Sequence, residues 1–193
     1  MIINVSLCFF NLKSPFATTL NFEDLYHEFK NMVYNLALQY VQHAEDAEEI
    51  TQDVFVAVAN SLDKFRNEAK PSTWIYRITI NKSLDFIKAK RRHKRFALFT
   101  SLLYRETNIE VNQSAHFDHP GVKLEQKESL RELFSAINQL PDQQKTALIL
   151  QKIERKSQIE TAEIMNISAK AVESLVQRAK TNLLKKINSK LEG

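Results

Sequence analysis

The sequence predicts an all-α protein, with two small helical domains joined by a polar linker and a helix-turn-helix in the C-terminal one. Three observations predict it. Only 2 glycines and 4 prolines interrupt 193 residues, too few turn formers for a sandwich or barrel of short strands. Apolar residues recur at three- and four-residue steps over long stretches, which is the helical repeat. An apolar content of 44% suffices for packed cores rather than disorder.

Residues 1–20 are an extension to which the sequence assigns no role. Met1 to Phe10 is apolar, but it lacks a basic leading segment, is far too short to span a membrane and has no small-residue cleavage site. Neither export nor anchoring is expected from it.

The first domain is expected over residues 21–95. Phe22 to Gln42 forms an amphipathic helix with Leu25, Phe29, Met32, Val33, Leu36 and Tyr40 on its apolar face. A second helix, Ala44 to Ser61, carries the stripe Ala47, Ile50, Val54 and Val58, and its acids lie in the first turn or on the other side. Phe65 to Pro71 is a connection, since a proline disfavours helical geometry at the residue before it. The third helix starts near Ser72 or Thr73 as N-cap and runs to about Lys94. On a helical projection Tyr76, Ile80, Leu84 and Ile87 share one face, and Trp74, Arg77, Asn81, Asp85 and Lys88 fall opposite.

Residues 96–123 are expected as linker, because Thr107 to Pro120 is polar and without periodicity. The second domain spans residues 124–190. Its first helix covers about Leu124 to Gln139, and Pro141 takes the first position of the next, which carries Ala147, Leu148, Leu150 and Ile153. Ile159 to Ile187 then shows a short helix, a turn at Asn166 and a longer helix opened by Ser168. Asparagine is, after glycine, the natural residue for a left-handed turn position, and the small Ala162 lets two crossing helices approach. Val172, Leu175, Val176, Ala179, Leu183 and Ile187 keep one face apolar, so Lys170, Glu173, Ser174, Gln177 and Thr181 point outward.

The net charge of +4 is too mild to identify a partner, but its distribution is informative. Ala44 to Asp53 holds five acids and no base, whereas Asp85 to Arg95 holds six bases and one acid. From Asn166 to the C-terminus there are six bases against two acids. The outward residues of the last helix therefore offer hydrogen-bonding groups to a DNA major groove beside cations for phosphates. An ordinary helical hairpin with a solvated face is the competing reading. Trp74, on a polar face with Arg77, Asn81 and Lys88, has two readings as well. It is a stacking platform for single-stranded nucleic acid, or it seals the Phe65 to Pro71 loop.

A single cysteine, Cys8, excludes an internal disulfide, and no Cys/His spacing fits zinc, so a reducing compartment and no metal are expected. His27, His43, His93, His116 and His119 are scattered and given no role. There is no Gly-rich phosphate loop and no coherent nucleophile with its base, so no enzyme, cofactor or small-molecule substrate is expected.

The run DAEEITQDVFVAVANSLDKFRNEAKPSTWIYRITINKSLDFIKAKRR, Asp46 to Arg92, resembles the most characteristic segment of bacterial sigma-70 family factors of the extracytoplasmic-function group. LPDQQKTALILQKIERKSQIETAEIMNISAKAVESLVQRAKTNLLKKI, Leu140 to Ile187, is similar to that group's promoter-reading helix-turn-helix domain. The two runs stand in the family's order. The resemblance implies a cytoplasmic transcription initiation factor whose partners are core RNA polymerase, promoter DNA and, as a candidate, an anti-sigma factor. By the same analogy Asp46, Glu49, Gln52, Asp53 and Phe55 dock on the polymerase clamp. Trp74, Arg77, Asn81, Lys88, Arg91 and Arg92 act at the minus-ten element, with Asn81 contacting an extruded base. Lys170, Glu173, Ser174, Gln177 and Arg178 act at the minus-thirty-five element.

The chain departs from the family pattern at four positions. Pro71 replaces an aromatic, Arg155 a frequent glycine, and Lys156 and Thr161 apolar residues, which predicts looser packing of the first helix of the helix-turn-helix. The alternative function is a helix-turn-helix regulator that binds duplex DNA without polymerase. The acidic helix and the Trp74 face argue against it, since a regulator needs a ligand pocket or phosphoacceptor there.

Overall fold

A computed structural model of the chain describes residues 20–65, 69–103 and 132–191, and every regular element among them is helical. The expected extension up to residue 19, most of the linker, the start of the helix expected over Leu124 to Gln139, Cys8, His116 and His119 lie outside the described residues. None of the described helices is long and apolar enough to cross a membrane.

Helix α1 spans Phe22–Val41. Asn21 caps its start, with its side-chain oxygen accepting from the Glu23 amide at 3.2 Å. It stops one residue short of the expected Gln42, because Gln42 turns left-handed (φ 56°) and returns its amide to the Leu38 carbonyl. Helix α2 spans Ala44–Ser61, as the sequence predicts. Its N-cap is His43, whose Nδ1 accepts from the Asp46 amide, so this histidine has a structural role that its scattered neighbours in sequence did not suggest. A 3₁₀ turn, Leu62–Lys64, leaves α2.

Helix α3 differs from expectation at both ends, running Pro71–Leu103. Proline suits the first helical turn, where its missing N–H would have no partner, so Pro71 opens the helix instead of ending the loop. The basic run 88–95 suggested a terminus, but charge does not break a helix. With no glycine or proline after it, α3 continues beyond the expected boundary at residue 95.

The second half begins, among described residues, with α4 over residues 132–138. Pro141 is the N-cap rather than the first residue of α5, Asp142–Leu148. A π-helical turn, Ile149–Ile153, follows, and Arg155 then takes a left-handed conformation (φ 53°). A residue with a Cβ gives up about 1–2 kcal/mol in that conformation, which a glycine would not. Helix α6 is Gln158–Met165, Asn166 makes the left-handed turn (φ 54°), and α7 is Ala169–Leu191. Ser157 and Glu160 form a reciprocal capping box at the start of α6, which the Ser-x-x-Glu spacing encodes locally.

Three apolar clusters hold the molecule together. Ile50, Val54 and Val58 of α2 meet Leu25, Val33 and Ala37 of α1 and Ile75 of α3, and each such side chain contributes about 1.5–3 kcal/mol on burial. Ala147, Ala162, Val172 and Val176 form a small core inside the helix-turn-helix. The third cluster belongs to neither half alone. Leu36 and Tyr40 of α1 and Tyr76 and Ile80 of α3 pack with Phe134, Ile137, Leu148, Ile149, Leu150 and Ile164. Thus the face of α3 that carries Tyr76 and Ile80 packs against the second half as well as against α1, while Ile75, Thr79 and Ser83, one step around the helix, are buried at 0% exposure and Ile75 belongs to the first-domain core. Looser packing of α6 is not seen at Thr161, which is also fully buried, its hydroxyl donating to the Ser157 carbonyl at 2.8 Å.

Candidate nucleic-acid interface

The outward face of α7 is the simpler of two candidate surfaces. Asn166 sets the crossing of α6 and α7, its amide bonded back into the last turn of α6. Ser168 caps α7 through its hydroxyl, which accepts from the Ala171 amide at 3.2 Å. Val172, Val176 and Ala179 are buried, which leaves Lys170, Glu173, Ser174, Gln177 and Arg178 together in solvent, as the spacing predicts. Leu183 is half-buried, and the side chain of Ile187 lies outside the described residues. Five neighbouring polar side chains over the first turns of a capped helix can reach base edges and phosphates.

The polar face of α3 is placed differently. Trp74 is half-buried and stacks on Phe65, with ring centroids 4.6 Å apart, so the loop-sealing reading describes it in this conformation. Arg77 is half-buried and points at the second half of the chain. Its Nε donates to the Ile164 carbonyl at 3.2 Å and its Nη2 to the Glu163 carbonyl at 2.6 Å. Asn81 is exposed, at the rim of a cavity that α3 shares with Asp142, Thr146 and Asn166. Lys88 pairs with Asp85 at 3.9 Å and with Asp142 at 3.8 Å. Arg91 reaches the Asn138 carbonyl at 3.4 Å, and Arg92 is free of the seam and exposed. Lys88, Arg91, Arg92, Lys94 and Arg95 line one basic cleft.

The acidic helix needs two corrections. Its own residues give it an anionic face without a base, but Lys90 of α3 binds Asp46 at 2.5 Å and Lys82 lies 3.7 Å from Asp53. The bases that α2 lacks come from α3, 29 and 44 positions along the chain. Phe55 is 4% exposed and meets the rings of Phe22 and Tyr26 edge-on, so it supports α2 from inside rather than presenting itself. Glu49, Gln52 and Asp53 are exposed, with Val56 beside them at 60%.

Periodicity alone did not single out the residues that join the halves. The Glu154 carboxylate accepts from Gln39 Nε2 at 2.5 Å and from the Tyr76 hydroxyl at 2.9 Å. Tyr40 donates its hydroxyl to Thr146 Oγ1 at 2.8 Å. Lys156 lies 4.7 Å over the Tyr76 ring and Lys145 lies 5.0 Å over the Tyr40 ring. Lys145 is only 1% exposed, and this desolvation pulls its ammonium down to about 8, with Asp142 opposing the shift and Arg91 adding to it. Burial likewise pushes the Tyr40 and Tyr76 hydroxyls well above their usual range, helped at Tyr76 by the Glu154 charge. Lys145 could have been found from its position one turn before Leu148 and Ile149 on the inward face.

Comparison with known proteins matches residues 25–93 to sigma-70 region 2 and residues 130–183 to sigma-70 region 4. The chain is 30% identical to the extracytoplasmic-function (ECF) RNA polymerase sigma-E factor of Haemophilus influenzae, over 86% of this chain and 87% of that one. It is 29% identical to the ECF RNA polymerase sigma factor SigW of Bacillus subtilis, over 86% and 88% of the respective chains. Its fold is similar to that of the sigma factor RpoE of Bartonella quintana, solved in complex with the anti-sigma factor NepR, with TM-score 0.60, 20% identity and 86% and 96% coverage. It is also similar to CnrH, solved with the cytosolic domain of CnrY, with TM-score 0.59, 22% identity and 87% and 88% coverage.

Proposed function

We propose a mode of action that proceeds from one fact: the chain belongs to the extracytoplasmic-function group of the bacterial sigma-70 family. It is a transcription initiation factor, a subunit that binds core RNA polymerase and brings it to promoter DNA. The observation that carries this is the succession of a region 2 and a region 4 in one chain, in that order. A regulator without polymerase would need only the second of them.

On this reading α7 reads the minus-thirty-five element as duplex through Lys170, Glu173, Ser174, Gln177 and Arg178. Their shared exposure on one capped helix supports it. The polar face of α3, with Arg77 and Asn81 above the basic cleft of Lys88, Arg91 and Arg92, captures the minus-ten strand. A base taken from the stack needs polar edge groups and cations beside it. Trp74 contributes its exposed edge, and its stack on Phe65 fixes the start of α3. Polymerase docking falls to Asp46, Glu49, Gln52 and Asp53, with the buried Phe55 supporting their helix from inside. An anti-sigma factor is a further partner on the same reading, the protein acts in the cytoplasm, and the role is one of binding without catalysis.

Run-off transcription with purified core polymerase and this chain, on DNA from upstream of its own gene, tests the function. Promoter-specific initiation is expected, and its absence on every fragment, with the chain folded, refutes the reading. Glu49→Lys tests docking. It should weaken co-elution with core polymerase without loss of thermal stability, whereas Asp46→Lys should also destabilise, because it removes the carboxylate that Lys90 binds and sets a second cation beside that ammonium.

A further inference from the structure

A cavity of about 290 Å³ lies where the end of α1, the first turn of α2 and the middle of α3 meet Asn138 at the end of α4. Its floor is Tyr40, Val41, Phe86 and Ile87, all buried or half-buried members of the apolar clusters. The Tyr40 hydroxyl is already engaged by Thr146, so this residue offers the cavity only its ring. An apolar floor of this kind, two aromatic rings beside two aliphatic chains, is what a small-molecule site is made of.

The rim is charged. Lys90, Arg91 and Lys94 are exposed along it, and Asp46 is the one acid among them. Asp46 is paired with Lys90. Arg91 makes a single long contact of 3.4 Å, to the Asn138 carbonyl, and the rest of its planar fork is left over. Lys94 makes no hydrogen bond or ion pair with a described residue. Two cations at the mouth of an apolar hole therefore lack a counter-charge among the described residues.

The wall adds a third requirement. Asn138 lines the cavity, and its Oδ1 is buried with no hydrogen-bond partner among the described residues. Native structures leave few buried polar atoms unpaired, because each has lost its water without a replacement. A donor carried in by a ligand supplies that replacement.

The three requirements specify a chemical class. A carboxylate has the two oxygens that match a guanidinium fork, and the volume, at the small end of the range of about 300–1,000 Å³ for ligand pockets, suits one ring. The neighbouring cleft lined by cations alone offers no such floor and suits a phosphate backbone instead. We propose that the cavity binds a small phenolic carboxylic acid, its ring on Tyr40, Val41, Phe86 and Ile87, its carboxylate on Arg91 and Lys94, and its hydroxyl donating to Asn138 Oδ1. Arg91 and Lys94 line the basic cleft as well, so the bound acid holds two of that cleft's five cations.

Isothermal titration calorimetry on the full chain tests this with four probes. One para-hydroxyphenylacetate per chain should bind, with Kd below about 1 mM. Phenylacetate, which lacks the donor, should bind about tenfold more weakly, and tyramine, with an ammonium in place of the carboxylate, should give no saturable heat. Thymidine monophosphate should also bind about tenfold more weakly than the phenolic acid; equal or tighter binding makes the cavity a nucleobase pocket and overturns the proposal. Arg91→Gln should weaken both acids about tenfold. Ile87→Trp fills the floor and should abolish binding with the circular dichroism of the parent. Asn138→Leu guards against misfolding of that variant, since it only removes an unpaired polar atom. It should leave phenylacetate binding unchanged and bring para-hydroxyphenylacetate down to the same level, a loss of preference that a merely structural role would not produce. The proposal is overturned by no saturable binding of para-hydroxyphenylacetate up to about 10 mM, by tyramine binding as tightly as the acid, or by a preference for the phenol that survives in Asn138→Leu.

Discussion

The outward face of α7 and the polar face of α3 are built from the same residue types, yet one is open and the other covered. On α7 the apolar stripe is satisfied within the second half, by α5 and α6, so what is left over faces water. On α3 two adjacent arcs are buried, one against α1 and α2 and the next against the second half, and Arg77 stands at the edge of the second arc. A surface next to one packed arc stays available for a ligand. A surface next to two is available only when one partner leaves.

The comparison breaks first if the two sides of α7 fail to separate. Val172→Asp places a charge at a fully buried position and should destabilise the second half by about 3 kcal/mol or more, seen as a large fall in the denaturation midpoint. Gln177→Ala, on the exposed side, should leave that midpoint unchanged. It should instead relax sequence preference at its base pair by about 1–3 kcal/mol in a promoter-variant binding series, whereas Lys170→Ala should weaken all sequences alike. A large stability loss from Gln177→Ala would mean that α7 is covered too.

The covered surface has a pH signature that the open one lacks. With the two halves packed together, the closed form, the Lys145 ammonium sits near 8 against an ordinary 10.5, because burial disfavours its charge. Between those values the closed form holds the proton less than an open one does, so raising pH from about 8 to 10 should favour closure by about tenfold or more. Tyr40 and Tyr76 act in the opposite sense. Their raised values mean that the closed form resists ionisation, so their contribution is complete below 10 and is lost above it. Energy transfer between dyes placed one on each half should therefore rise to a maximum near pH 10 and then fall, and Lys145→Met should remove the rise but not the fall. A profile that is flat from 8 to 10 in the parent chain would detach Lys145 from the seam.

The smallest change in stability is expected at Asn81, the exposed residue at the rim of the covered cavity. Asn81→Ala should alter the midpoint by no more than about 0.5 kcal/mol. Permanganate reactivity of thymines near the start site should nevertheless drop, compared at equal promoter occupancy. Reactivity equal to the parent would falsify the strand-capture role of Asn81 and leave the α3 face as seam alone.

The sequence by itself determined the helical class, the bounds of α2, the turn at Asn166 and which side of α7 looks outward. Each rests on local regularity, a 3.6-residue repeat or the tolerance of one residue type for one conformation, and both act within a few positions. The end of α3 lies beyond its sequence expectation for a related reason, since a basic run does not stop a helix and only a break in helix-forming residues does. Only the tertiary structure decided that Phe55 lies inside, that Asp46 is paired with Lys90, that Lys145 is buried, and that Arg77 is bound to the end of α6. These are meetings between residues distant along the chain, Tyr76 with Glu154 across 78 positions and Gln39 with Glu154 across 115. A periodic pattern shows that a helix has a face to bury, but not which of several distant surfaces will lie against it. That choice is a sum of many weak contacts made only once the helices are side by side.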